Sequence, residues 1–478
     1  MGAGRAEYLH YDLVDLRLTT RDPALDARLR AEPPRVAVTR GGTDVTTIAG
    51  LRELTLTRAA PGVWTARWPV PWNAPTGAYV PRLVGGADLS GRLRVAAFHV
   101  GRRAPSRLPP GFVAATLETV RPLAKMRVTG PGGARGDWRG LLDWARFLRA
   151  DAFWMLGGQS PGEDGAVWND ANVARIPEVA RECRARGLKF GVYAEYSLTM
   201  STSVKIDGYE YAREIRDGRP VVTRAISLRD ARRPADVAAF LKPFADDPYV
   251  DFIGLDYIRN ALGGDELAED FVAEMPGVSV PASWPRLTGT ERMTWLARKR
   301  ILRQDAAFLD AWQWWRARRA ALIVREIKER LATDKPLWAF TLTWDKGWQH
   351  GQDPVMMNDA GVDVDAAMFY EADRDQFSGM LKDWHAYLRR GDAQVMPGDI
   401  FDWGLHQKSP AGPAEFSRRL RAARAGVYAD GPADAVFFHD LDRLLNGRLG
   451  RWGTRGWARA ARGVADELKS SAAQEKRP

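Results

Sequence analysis

Short apolar runs in the larger, later part of this chain repeatedly stop on an acidic side chain. Phe112 to Leu117 is followed by Glu118, Lys189 to Ala194 by Glu195-Tyr196, and Phe252 to Leu255 by Asp256-Tyr257-Ile258-Arg259. Leu337 to Thr343 leads to Trp344-Asp345-Lys346, and Ala366 to Tyr370 leads to Glu371. Gln394 to Met396 runs through Asp399 to Asp402-Trp403, with His406 beyond, and Ala435 to Phe438 meets His439-Asp440. Carboxyl groups gathered from several runs suit cleavage of a glycosidic bond. That reaction takes one protonated acid at the leaving oxygen and one ionised group as nucleophile or base. Burial and mutual repulsion hold two such groups in different protonation states at one pH. Trp154, Trp168, Trp344, Trp348 and Trp403 fall at or just after the same run ends, among 19 tryptophans in all, and offer apolar platforms of the kind sugars stack on.

For side chains this far apart in sequence to meet, the runs must be parallel strands that end on one face. Eight of them occur from residue 112 onward, at 112–117, 152–156, 189–194, 252–255, 337–343, 366–370, 394–396 and 435–438, and eight is the number that closes a (β/α)8 TIM barrel. Helical periodicity fills the gaps at 138–149, 171–186, 235–246, 375–390, 413–426 and 455–469. Two connections, 197–234 and 260–336, are long, the second with a basic helix over about 291–331; insertions of that size at strand ends shape the active face of a barrel. Before residue 105 the pattern is all-β: Val36 to Thr39, Leu54 to Thr57, Val63 to Trp68, Thr76 to Val84 and Leu93 to Val100 alternate or carry β-branched residues between glycine and proline turns. This predicts a β-sandwich over 1–104, a Pro-rich linker, a barrel over 105–470 and a disordered tail over 471–478.

Composition narrows the function. The 478 residues are 45% hydrophobic and 27% charged, as in a globular protein. The net charge of +10 comes from arginines scattered over helix faces, as in Ser417-Arg418-Arg419-Leu420-Arg421, without a dense basic tract, so nucleic acid is not an expected partner. The single cysteine, Cys183, precludes an intrachain disulfide, and no apolar stretch is long enough to span a bilayer. The start of the chain lacks the apolar core of a signal peptide, which points to the cytoplasm, or to the periplasm or outside if a leader has been removed. No Gly-x-Ser-x-Gly, phosphate loop or dinucleotide glycine motif occurs, and six histidines without zinc spacing give no metal or cofactor to expect. Oligomeric state is left open.

The run Val250-Asp-Phe-Ile-Gly-Leu-Asp256-Tyr257-Ile258-Arg259 resembles a strand of glycoside-hydrolase-like (β/α)8 barrel families, in which Gly-(Ile/Leu)-x-(Leu/Phe)-Asp-Tyr-(Ile/Val)-Arg carries a candidate catalytic aspartate. Gly351 to Pro354, Ala360 to Asp363 and Met368 to Glu371 are similar to the same barrels and, more distantly, to α-amylase-like and endo-α-galactosaminidase-like groups. The N-terminal segment resembles the immunoglobulin-like modules that precede catalytic domains. Asn260 stands where those families carry a proline. The resemblance implies a hydrolase acting on a polysaccharide or oligosaccharide, with Asp256 as nucleophile or charge stabiliser, Glu371 as general acid/base and Asp345 as a third carboxylate. Glu195, Tyr257, Arg259, Trp154, Trp344, Asp402, Trp403 and His406 are the expected substrate contacts. A barrel that binds carbohydrate without cleaving it is the alternative, and carboxylates all locked to arginines would favour it. Three carboxylate oxygens converging on one point would instead indicate a divalent cation.

Overall fold

The structure, a computed structural model, describes residues 1–84, 96–201, 204–259, 263–370, 373–402 and 412–475. The chain forms two compact units: Met1–Arg103 with Ala212–Thr223 and Leu262–Leu322, and Ala104–Tyr211 with Arg224–Ala261 and Ile323–Pro478.

In the first unit two sheets enclose one core. One has the order Gly2–Ala3, Leu13–Thr19, Val63–Pro69, Thr57–Ala60. The other runs Glu7–Tyr8, Phe98–Val100, Gly77–Val84, Arg35–Arg40, Thr43–Asp44. Period-two alternation turns Val14, Leu16 and Leu18 inward from the first sheet and Val36, Val38 and Tyr79 inward from the second. A helix not expected from the pattern, Pro23–Ala31, joins this unit. Asp22 caps its N-terminus, and buried Asp26 accepts from Arg58 and the Trp64 indole.

The second unit is the closed barrel. Its strands are β1 (Phe112–Leu117), β2 (Ala152–Pro161), β3 (Lys189–Glu195), β4 (Phe252–Leu255), β5 (Leu337–Leu342), β6 (Val364–Met368), β7 (Val395–Ile400) and β8 (Ala435–His439). Each pairs in parallel with its neighbours, and β1 pairs with both β2 and β8, which closes the ring. Helices α1 (Gly140–Phe147), α2 (Ile176–Ala185), α3 (Arg233–Asp246), α4 (Ala306–Leu331), α5 (Pro354–Ala360), α6 (Arg374–Tyr387), α7 (Pro413–Gly426), α8 (Leu441–Asn446) and α9 (Gly453–Glu475) follow the strands, and of α4 the residues up to Leu322 belong to the first unit. The basic segment read as one helix is two, Gly289–Leu302 and α4, because Arg303 adopts a left-handed conformation (φ 50°) that ends the first. The last helix continues to Glu475, beyond the expected start of the tail.

The barrel is filled, not hollow. The indoles of Trp154 and Trp338 stack at 4.3 Å across the interior, walled by Phe112, Phe252 and Phe340. Gly191 and Gly254 make room for them: a Cβ on Gly254 would lie 2.2 Å from the Trp338 ring, and one on Gly191 would lie 2.5 Å from Trp154. Chemistry is therefore confined to the layer above these rings, at the C-terminal ends of the strands. Among the described residues no helix is long and apolar enough to cross a membrane.

Candidate active site

Glu195 and Asp256 end β3 and β4, adjacent parallel strands whose last paired residues are Ala194 and Leu255. Each acid is followed by a tyrosine forced into the left-handed region, Tyr196 at φ 58° and Tyr257 at φ 49°, and the two rings meet at 4.5 Å. Such a conformation costs a non-glycine residue about 1–2 kcal/mol and persists only where its surroundings hold it. Here the holding groups are backbone: Asp256 N–H donates to Ala194 O, Ser197 N–H to Asp256 O, and Leu198 N–H to Tyr257 O. The doubled turn fixes both carboxylates over the barrel. Asp256 accepts the Tyr257 N–H at 2.6 Å, and Glu195 accepts from the Gln159 amide at the end of β2. Arg259 lies over the Tyr257 ring at 4.1 Å.

Closure of the ring brings β1 and β8 to the same place. Glu118, after β1, faces the His439 Nε2 at 3.4 Å, and Asp440, after β8, lies 3.7 Å from that nitrogen. Four acids thus share one rim. Burial raises the Asp256 carboxyl to about 6, against the pull of Arg259 and the Tyr257 N–H. Burial and then the Asp256 charge raise Glu195 to about 7. Glu118 is raised well above the usual carboxylate range by burial and by Glu195, Asp440 and Asp256. Asp440 is raised to about 7 by burial, although it caps α8 through the Arg443 N–H and lies 3.5 Å from the Arg443 guanidinium. Near neutral pH Asp256 is largely ionised, Glu195 and Asp440 are partly ionised, and Glu118 keeps its proton.

The neutral members of the rim are ordered around these acids. His439 is buried, its pKa driven down to about 3 by burial and then by Arg443, so its imidazole is uncharged; it stacks on Tyr370 at 5.4 Å. When the Thr116 hydroxyl donates to Phe438 O (3.4 Å), His439 Nδ1–H donates to Thr116 Oγ1 (3.1 Å). Nε2 is then an acceptor for the Glu118 proton. The Tyr193 hydroxyl is buried and lacks a hydrogen-bond partner among the described residues. Burial and all four acids keep it protonated, hence a donor. Trp168, in a short strand antiparallel to β2, pairs in register with Gln159 and is 42% exposed, an open indole beside the Glu195 support.

The remaining expected contacts distribute differently. Trp154 is wholly buried in the barrel interior, because β2 extends to Pro161 and leaves residue 154 in mid-strand; it is a core residue, not a sugar platform. Trp344 packs against the outer layer formed by Phe369, Phe377 and Trp384. Asp345 sits in the turn Trp344–His350, 37% exposed and paired with Lys346 at 3.0 Å. Asp402 is held by Arg448 at 3.2 Å and Arg443 at 3.8 Å. Glu371, Trp403 and His406 lie outside the described residues; Tyr370, immediately before Glu371, faces the rim. Glu118, Asp440, Tyr193 and Gln159 were not among the expected site residues, although Glu118 and Asp440 stand at strand ends in the same pattern as Asp256. Among the described residues no group of three His, Cys, Asp or Glu side chains is arranged to hold a metal ion.

No protein-family model and no curated protein matches the chain. Solved structures do align with it. A chitinase from Rhizomucor miehei is 11% identical over 66% of this chain and 94% of its own, with a TM-score of 0.35. A pullulanase from Bacillus acidopullulyticus is 9% identical over 97% of this chain and 62% of its own (TM-score 0.39). An α-galactosidase from Thermus thermophilus is 13% identical over 82% and 72% (TM-score 0.39). At that similarity the barrel assignment stands on the strand pairings, not on the alignments.

Proposed function

We propose that the chain is a glycoside hydrolase that cleaves a polysaccharide or oligosaccharide at the β1–β3–β4–β8 rim. The observation that carries this reading is the pairing of an ionisable Asp256 with a proton-holding Glu118 in one buried cluster. Asp256 serves as the anionic group that attacks, or stabilises charge at, the anomeric carbon. Glu118 is the acid. Its side chain is 29% exposed, whereas Glu195, Asp256 and Asp440 are 2%, 5% and 2% exposed as residues. It is therefore the member best able to meet an incoming leaving oxygen. Glu195, steered by Gln159, raises the charge density that keeps the Glu118 proton in place. Trp168 supplies the apolar platform. Glu371 retains its proposed acid/base role as an alternative to Glu118, since it follows a residue of the rim. The competing reading, a barrel that only binds carbohydrate, calls for carboxylates neutralised by arginines, and Glu118 and Glu195 have none in ion-pair contact among the described residues.

A screen of polysaccharides and aryl glycosides with the wild-type chain beside Asp256→Asn and Glu118→Gln tests the assignment. Reducing ends should appear with the wild type and be lost with both variants while their thermal unfolding stays cooperative. Undiminished release by folded Asp256→Asn would remove this carboxylate from the chemistry.

A further inference from the structure

Beside the acid rim lies a site of opposite charge. A cavity of about 550 Å³ opens between segment 121–133, which follows β1, and segment 445–455, which follows β8. These are the same two strand ends that carry Glu118 and Asp440. Its lining includes Arg121, Lys125, Arg127 and Arg455 and no acidic residue, with Trp144 and Asn446 contributing an indole and an amide. Arg121 pairs with Asp442 at the cavity edge, and the Arg127 guanidinium donates to Met126 O; among the described residues no ion pair engages Lys125, Arg127 or Arg455. These cations are not there to neutralise the rim, since the arginine that acts on Glu118 and Asp440 is Arg443.

A cleft lined by buried carboxylates repels a charged saccharide, and like charges brought together in a poorly solvated site are costly. An anionic chain can occupy such a cleft only if cations receive its charged substituents away from the bond being cleaved. From this arrangement we propose that the 121–133/445–455 cavity is a subsite for an anionic substituent, a carboxylate or an ester sulfate, of an acidic glycan. The inference rests on the hydrolase reading of the adjoining rim and narrows its substrate class. The net charge of +10 acts in the same direction by drawing a polyanion toward the surface. Guanidinium forks suit carboxylates and ester sulfates; Trp144 is buried, with its N–H donated to Thr129 O, and leaves recognition to the cations.

Titration calorimetry with full-length Asp256→Asn, so that the probe is not consumed, tests this. One arm compares oligogalacturonate with its methyl ester, the other a sulfated galactan oligosaccharide with its desulfated form. The charged member of at least one pair should bind about tenfold or more tightly than its neutral counterpart. That difference should collapse when Lys125→Ala, Arg127→Ala and Arg455→Ala are added, with the unfolding temperature unchanged. The pair that discriminates names the substituent. Equal binding within both pairs, a preference that survives the triple substitution, or equally effective competition by duplex DNA would overturn the subsite. Because binding is read with hydrolysis removed, a wild-type chain that cleaves nothing would count against the hydrolase reading alone.

Discussion

The two halves of the barrel rim treat their carboxylates in opposite ways. On β5 and β7 each described acid meets a cation: Asp345 pairs with Lys346, Asp399 with Arg419 at 3.3 Å, and Asp402 with Arg448 and Arg443. On β1, β3 and β4, Glu118, Glu195 and Asp256 are surrounded by other acids, a neutral histidine and tyrosine hydroxyls, with Arg259 the one cation acting on Asp256. Ion pairing makes the first half a brace. Crowding of acids without ion-pair contact sets the second apart, the condition that acid–base chemistry uses; burial raises Asp399 to about 6 even with Arg419 beside it. A raised pKa alone does not mark the site: Asp365 on β6 is also raised to about 7 by burial, yet its neighbours Val364 and Ala366 fill the barrel interior, so strand alternation turns it outward.

The largest effect that separates the halves is expected from Asp256→Asn. Loss of the anionic group should lower kcat/KM by about 10³-fold or more, near 4 kcal/mol of transition-state stabilisation. Asp399→Asn should do the reverse. It leaves Arg419 buried without its counter-charge and should cost about 3–5 kcal/mol of stability, read as a lower denaturant midpoint, while the folded fraction keeps its turnover. If both substitutions abolish turnover in folded protein, the rim is not divided as described.

Glu118→Gln sharpens the assignment within the acidic half. Wild-type activity should rise with pH through about 6 as Asp256 ionises and fall at higher pH as Glu118 loses its proton. The amide holds no proton to lose, so the alkaline limb should flatten and turnover of natural glycans should drop about 10²-fold. Aryl glycosides with acidic leaving groups, which need little protonation, should be affected far less. An unchanged alkaline limb would transfer the acid role to Glu195 or Glu371.

Much of this division was legible in the sequence. The eight strands read correctly because strands buried on both faces are continuous apolar runs, and the acids stood out because each interrupts such a run. Asp256 and Glu195 stand out in that pattern, and the structure places them at the ends of adjacent strands. Glu118 and Asp440 carried the same signal. What sequence order hid is ring closure, which makes β1 and β8 neighbours although they lie at opposite ends of the barrel segment. Trp154 was misplaced because the apolar run ends at Leu156, whereas β2 continues through Gly157 and Gly158 to Pro161. The helix Pro23–Ala31 was hidden by its length and by a pattern in which only Asp26 and Leu29 are buried. Lys346 adjoins Asp345 in the sequence, so that pairing was legible; the ion pair of Asp402 was not, since Arg448 is one among 70 basic residues and lies 46 positions away.

The smallest effect concerns stability. Glu195 and Asp440, both raised to about 7, hold protons in the folded chain at pH values where the unfolded chain has released them. A native state that binds more protons loses stability as pH rises, so unfolding temperature should increase by a few degrees as pH is lowered from about 7.5 to 5.5. His439 has the opposite sign. Its folded-state value near 3 lies below the ordinary 6.5, so below pH 6.5 the unfolded chain takes up a proton that the native chain refuses, and this one proton offsets part of the gain from the two acids. Glu195→Gln should raise the unfolding temperature at pH 8 and reduce the slope below about pH 7. Asp365→Asn should remove its own share of the slope without touching turnover. If the slope survives Glu195→Gln and disappears with Asp365→Asn, the stored electrostatic cost sits behind the sheet, and the contrast between the two halves of the rim fails.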